Sequence, residues 1–198
     1  MFTAAKPIFI KGKSCETNFQ AGFVCRFDAS ERKKYALKMV ASSFCRVTLN
    51  GAFLHYGPAR GPHGYLRVDE ITIPAVPGEN LLTFEVAGYN CPSFYTVDVP
   101  SFLQCEICED GEAIAWTGRD FKGISLDAFR EPKVSRYSYQ RAFTEVYYLD
   151  SEAAGWTKGD FEGEALEIAD PGLAYIPRGF KVPEFKVTSA AKPVRSGV

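Results

Sequence analysis

The chain has 198 residues, 46% of them hydrophobic and 24% charged, with a formal net charge of -1. That composition belongs to a globular chain with a core and excludes disordered or collagen-like ones; the length allows one larger domain or a domain with an appendage. So even a charge balance excludes a nucleic-acid binder built on a concentrated positive surface, and no window reaches the ~18 consecutive apolar residues of a membrane helix.

The N-terminus, MFTAAKPIFIKGKS, carries an apolar stretch that Lys6, Pro7 and Lys11 interrupt, which makes it too short for a signal peptide. A cytoplasmic location is expected unless a leader has been removed. From there the dominant period is two. Phe19, Ala21, Phe23, Cys25 and Phe27 share one face, as do Tyr35, Leu37, Met39 and Ala41, and then Cys45, Val47 and Leu49; each set reads as a half-buried strand. Between the first two, Glu31-Arg32-Lys33-Lys34 reads as a solvated turn. Asn50-Gly51 is a hairpin signal, because a type I′ turn needs positive φ at both central residues, and Phe53 to Tyr56 is the returning strand.

A glycine-rich interruption follows, GPARGPHG, from Gly57 to Gly64. Pro77-Gly78-Glu79-Asn80 then turns the chain into a long strand in which Leu82, Phe84 and Val86 alternate with Leu81, Thr83 and Glu85. Leu103, Cys105 and Ile107 give one more. Useful amphipathic helices are not apparent, so the expected class is all-β, a jelly-roll β-sandwich. Charge and proline replace the alternation at DAFREPKVS, residues 127–135. The expected division is a sandwich over residues 1–130 and a smaller β segment with a linker over residues 131–198. In the second part RYSYQRAFTEVYYL reads as an aromatic-rich strand and TSAAKPVRSGV as a linker leading onward.

Six cysteines are present. Cys25, Cys45 and Cys105 stand at apolar-phase positions, where thiols act as small buried hydrophobes. Cys105 and Cys108 form a CxxC, but an alternating strand points them to opposite faces. Structural zinc needs four Cys or His ligands at set spacing, so neither a metal nor a cofactor is expected. Asp69-Glu70 invites an acid-base reading, yet neighbours on a strand cannot flank one glycosidic bond. Neither a G-x-S-x-G elbow nor an activated Cys-His spacing is present, and Gly57 to Gly64 lacks the Lys-Ser/Thr ending of a phosphate loop. No catalytic residue is assigned.

Carbohydrate binding calls for flat apolar faces beside hydroxyl-bonding groups. His55, Tyr56, Arg60, His63, Tyr65 and Arg67 offer both within a short region, and Tyr89, Asn90 and Tyr95 follow the long strand toward the same rim. Against this stands a structural use of the same side chains, with Arg60 or Arg67 paired to Asp69 or Glu70, or a contact with another domain. Trp116 and Trp156 are read as partly buried core.

Taken in order, VTLNG, GPARGPHGYLRVDEITIP and PGENLLTFEVAGYN resemble the sugar-binding-like jelly roll near the N-terminus of bacterial α-L-rhamnosidases and related glycoside hydrolases. RYSYQRAFTEVYYL and LAYIPRGFKVPEF are similar to the segment that follows it in a large multidomain subgroup. The NG and PGEN turns also occur in the jelly rolls of β-galactosidase-like enzymes. The resemblance implies a non-catalytic accessory domain whose partner is its own catalytic (α/α)6 barrel, with rhamnose-containing carbohydrate as a ligand. A purely structural domain and a free-standing lectin-like module are the alternatives.

Overall fold

The computed structural model describes residues 1–94, 96–148, 155–186 and 188. Regular structure among them is almost entirely strand. In chain order the strands are β1 (Ile8–Ile10), β2 (Phe19–Ala29), β3 (Tyr35–Ser42), β4 (Phe44–Leu49), β5 (Ala52–Gly57) and β6 (Tyr65–Ile73). They continue as β7 (Gly78–Gly88), β8 (Phe102–Glu109), β9 (Glu112–Trp116), β10 (Lys122–Ser125), β11 (Leu166–Ile168) and β12 (Ala174–Pro177), with short 3-10 turns at Asp127–Phe129 and Gly155–Lys158.

Two sheets face each other. The first runs β11-β1-β8-β3-β6-β12, with β9 sharing an edge of β8, and the second runs β10-β2-β7-β4-β5. This is the β-sandwich that the two-residue period dictates. Every inward position read from the alternation is buried: Phe23, Leu37, Met39, Cys45, Val47, Leu82, Phe84, Val86, Leu103, Cys105 and Ile107 are all closed to solvent. Burial of such side chains removes apolar surface from water at about 25 cal/mol per Å². Among the described residues all six cysteines are free thiols, and all but Cys15 are buried. Burial pushes the Cys25 thiol up to about 12, as expected of an inert core thiol.

Local signals hold the second sheet in register. Asn50 and Gly51 both adopt positive φ, at 50° and 80°, as a type I′ hairpin requires. The Asn50 side chain also ties the turn to β7, accepting from Leu81 N at 2.8 Å and donating to Asn80 Oδ1 at 3.1 Å. Asn80 is fully buried, and its amide bonds Val76 and Gly78 backbone groups, which locks the turn read from Pro77-Gly78.

One expectation is corrected. RYSYQRAFTEVYYL forms no strand among its described residues: it turns back near Tyr139 and makes only the isolated bridges Arg136↔Phe143 and Arg130↔Tyr147. Ala142, Phe143 and Tyr147 of this segment lie on the outer face of the second sheet, while Tyr137 and Tyr139 stand exposed. The short strands that follow join the first sheet, β11 pairing antiparallel with β1 and β12 parallel with β6. The stretch read as a linker lies almost wholly outside the described residues.

Candidate functional site

The structure separates the residues that the sequence grouped at one rim. A bulge decides the first of them. β4 and β5 pair Thr48 with Phe53 but Val47 with His55, a one-residue shift. The extra residue reverses the phase of β5, so His55 points between the sheets and is 1% exposed. There His55 Nε2 meets Asp69 Oδ2 at 2.8 Å, while Arg178 Nη1 meets Asp69 Oδ1 at 2.7 Å. His55 is therefore corrected from a sugar contact to one member of a buried network. That network joins β5 of one sheet, β6 of the other and the chain after β12. The expected partner of Asp69 was Arg60 or Arg67; Arg178 takes that place. Gly57 is required beside it, since a Cβ there would lie 2.4 Å from Asp69 Oδ2.

The glycine-rich loop is largely self-satisfied. Arg60 donates to Phe94 O at 2.7 Å, and Arg67 donates to Arg60 O at 3.1 Å and to Arg178 O at 2.6 Å. Their guanidinium groups thus fix the loop and the exit from β12. Asn90, with φ of 41°, likewise spends its amide on Ser14 O, Glu16 O and Ser101 Oγ. Tyr89 is buried beneath Phe143 and Phe44. Tyr65, His63 and Tyr56 remain outward, with Tyr65 beside a small cleft that Pro58, Arg60 and Thr96 also line. Tyr95 lies outside the described residues. Trp156 is buried, as expected, and packs with Val24 and Leu126. Trp116 is half-buried under the Arg119 guanidinium, 3.3 Å from its ring centroid.

A second cleft, of about 110 Å³, lies on the outer face of the second sheet. Strand register builds its floor. Tyr56 pairs with Arg46 and Arg46 with Glu85, while in the next row Phe44 pairs with Ala87 and Ala87 with Gln20. Because alternate residues share a face, these side chains stand together. Arg46 and Glu85 form an ion pair, and the Phe44 and Tyr56 rings stack at 5.8 Å with planes 12° apart. The far wall comes from the chain after the sandwich. The bridge between Arg130 and Tyr147 and the bond from Tyr148 N to Phe129 O at 3.0 Å set Tyr147 over the floor. Its hydroxyl reaches Glu85, Glu145 and Gln20. Burial, and then the neighbouring Glu85 and Glu145 charges, push this phenol well above its ordinary range.

Gln20, Phe44, Arg46, Glu85, Glu145 and Tyr147 escaped the sequence reading. The only signal was that Arg46 and Glu85 fall at outward-phase positions of neighbouring strands, and a covering segment that reads as strand hides the rest. The Glu85 and Glu145 carboxylates are bridged by one hydroxyl, a pairing that invites comparison with the two carboxyl groups of a glycosidase. Here, however, the Tyr147 hydroxyl occupies the space between them, where a reacting carbon would have to sit. Asp69 and Glu70 fare no better, as Asp69 is enclosed between the sheets and Glu70 faces solvent. No metal-binding group of three or more His, Cys, Asp or Glu occurs among the described residues, and no helix is long and apolar enough to cross a membrane.

No family model matches the chain, and no curated protein matches it in sequence. Solved structures do match in fold. A GH78 family rhamnosidase of Bacillus sp. GL1 superposes with a TM-score of 0.79 at 22% identity, over 92% of this chain and 20% of the enzyme. The α-L-rhamnosidase of Dictyoglumus thermophilum matches at 0.58 and 12% identity, over 89% of this chain and 21% of that one. The Streptomyces avermitilis α-L-rhamnosidase complexed with L-rhamnose matches at 0.54 and 13%, over 88% and 16%. This chain therefore has the fold of a β-sandwich portion of α-L-rhamnosidases and spans about a fifth of their length.

Proposed function

We propose that the chain is a non-catalytic accessory β-sandwich of an α-L-rhamnosidase-type glycoside hydrolase. It packs against a catalytic (α/α)6 barrel and borders rhamnose-containing carbohydrate. The observation that carries this reading is the shared fold, which extends over 92% of this chain yet takes up only a fifth of the Bacillus enzyme. Hydrolysis needs two carboxyl groups flanking one glycosidic bond with nothing between them; Asp69, Glu70, Glu85 and Glu145 do not offer that arrangement.

The packing role has its own support. Phe94, Tyr137 and Tyr139 are 67%, 72% and 71% exposed, and Arg136 and Arg141 lie over the two tyrosine rings. Aromatics with arginines are the composition of interface cores, and side chains this exposed on a monomer mark a contact surface. Carbohydrate contact falls to the residues left outward at the loop, His63 and Tyr65, with Tyr56 beyond them.

The test is to assay the chain alone on an aryl α-L-rhamnoside, and to read the natural frame that contains it. No turnover is expected, together with a helical region carrying paired acidic residues elsewhere in the frame. Turnover by the chain alone, or a frame with no such region, would sink the proposal.

A further inference from the structure

Among the described residues, the cleft on the outer face of the second sheet holds more hydrogen-bond acceptors around the Tyr147 hydroxyl than that hydroxyl can serve. Tyr147 Oη lies 3.0 Å from Glu85 Oε1, 2.9 Å from Glu145 Oε2 and 3.2 Å from Gln20 Oε1. A phenol carries one proton and can give it to only one of them. Tyr89 serves the other oxygen of Glu145 at 3.1 Å, and Arg46 serves the other oxygen of Glu85.

At the cleft floor Gln20 is 1% exposed, and its Nε2 has no partner among the described residues. Turning that amide end for end moves the deficit without removing it: Nε2 would donate to Tyr147 and Oε1 would become the orphan. A buried polar group left unpaired costs about 1–3 kcal/mol. The same small space therefore has unserved acceptors and an unserved donor.

We infer that this cleft binds a neutral hydroxyl-bearing ligand, a sugar or polyol, through Gln20, Glu85 and Glu145. A hydroxyl donates to a carboxylate and accepts from an amide N–H, so one group answers both deficits. An anion is repelled by Glu85 and Glu145; a bare cation meets Arg46 and cannot accept from the Gln20 N–H. Tyr56, stacked on Phe44 and 44% exposed, supplies an apolar ring face for the C–H side of such a ligand. Glu145 and Tyr147 are themselves exposed, so the cleft is open to entry. This site is separate from the loop that carries Tyr65, and it rests on the carbohydrate-contacting reading above for the choice of probe sugar.

The test is an amide-shift titration of the 198-residue chain with L-rhamnose, D-galactose and myo-inositol through the millimolar range, repeated on Glu145→Gln and Glu112→Gln. At least one probe is expected to give saturable shifts at Arg46, Glu85, Ala87 and Glu145. Loss of a charge-assisted hydrogen bond should weaken binding about tenfold in Glu145→Gln, with the control Glu112→Gln, an exposed carboxylate on the other sheet, unchanged. Glu145 is exposed, so its variant keeps a dispersed spectrum that shows it is folded. Shifts confined to Gly64, Tyr65 and Leu66, or unchanged affinity in Glu145→Gln, would overturn the inference. So would the absence of saturable shifts with all three probes, while the accessory-domain reading, decided by turnover and reading frame, would stand.

Discussion

Each sheet of the sandwich has an outer face covered by chain that is not strand, and the two covers are held in different ways. On the first sheet the N-terminal segment crosses β8. Glu106, fully buried, accepts there from Thr3 N at 2.5 Å, from Ala4 N and from Ala5 N at 3.0 Å, while Gln104 donates to Ala5 O at 2.8 Å. Backbone donors thus converge on one carboxylate. On the second sheet residues 126–148 and 155–161 supply the cover. Trp156, Leu126, Phe129 and Phe161 anchor it apolarly beside Val24, while the acids near Tyr147 share too few protons. The backbone N–H groups of the first cover serve one oxygen of Glu106, and its Oε2 has no partner among the described residues; side chains laid on the second sheet face leave polar groups beside a cleft. Each cover thus leaves a buried polar atom unmet, Glu106 Oε2 under the first and Gln20 Nε2 under the second, and on the second face that residue lines a cleft.

The largest expected effect tests what the two covers have in common, the sandwich edge between them. Asp69→Ala leaves Arg178 and buried His55 without their shared partner; removing one member of a buried ion pair costs about 3–5 kcal/mol. Urea unfolding should show a loss of that size, and a loss under about 1 kcal/mol would mean that the network does not join the sheets.

Next, Trp156→Ala should cost roughly 3 kcal/mol or more, because the ring fills space left by a residue with no side chain. A Cβ on Gly22 would sit 2.7 Å from that ring. Hydrogen exchange should rise at Phe129 and Tyr148, with the N-terminal segment unchanged. Equal loosening of both covers would break the comparison.

Acid should do the reverse. Burial raises the Glu106 carboxyl, but the N–H bonds from Ala4, Ala5 and Thr3 outweigh it and hold the group below its ordinary value. A carboxylate depressed in the folded state contributes stability above its unfolded value of about 4.3, and that contribution is lost as pH falls through the folded value. Below pH of about 4, Thr3 to Ala5 should therefore lose exchange protection before Phe129 and Tyr148 do. The opposite order would show that the N-terminal cover does not depend on Glu106.

The smallest effects belong to the glycine-rich loop. Tyr65→Ala and Arg60→Ala should change stability by no more than about 0.5 kcal/mol, as surface substitutions do. A larger loss for Arg60 would make its bond to Phe94 O a structural anchor comparable to the Asp69 network.

The sequence by itself determined the class of fold, the alternating core positions, the Asn50-Gly51 hairpin and the turn at Gly78. A period of two and a positive-φ turn are local properties, fixed by sterics within a few residues. It also kept Asp69 and Glu70 apart, since neighbours on a strand must diverge. Tertiary structure decided the rest. The bulge after Val47, which turned His55 inward, has no local mark, because it answers the fit of β5 against its partner strand. RYSYQRAFTEVYYL has the aromatic content of a strand, yet no sheet edge receives it, and an exposed sheet face takes its side chains instead. Gln20, Arg46, Glu85, Glu145 and Tyr147 come from four separate stretches of chain, so only strand register and a segment folded across it could bring them together.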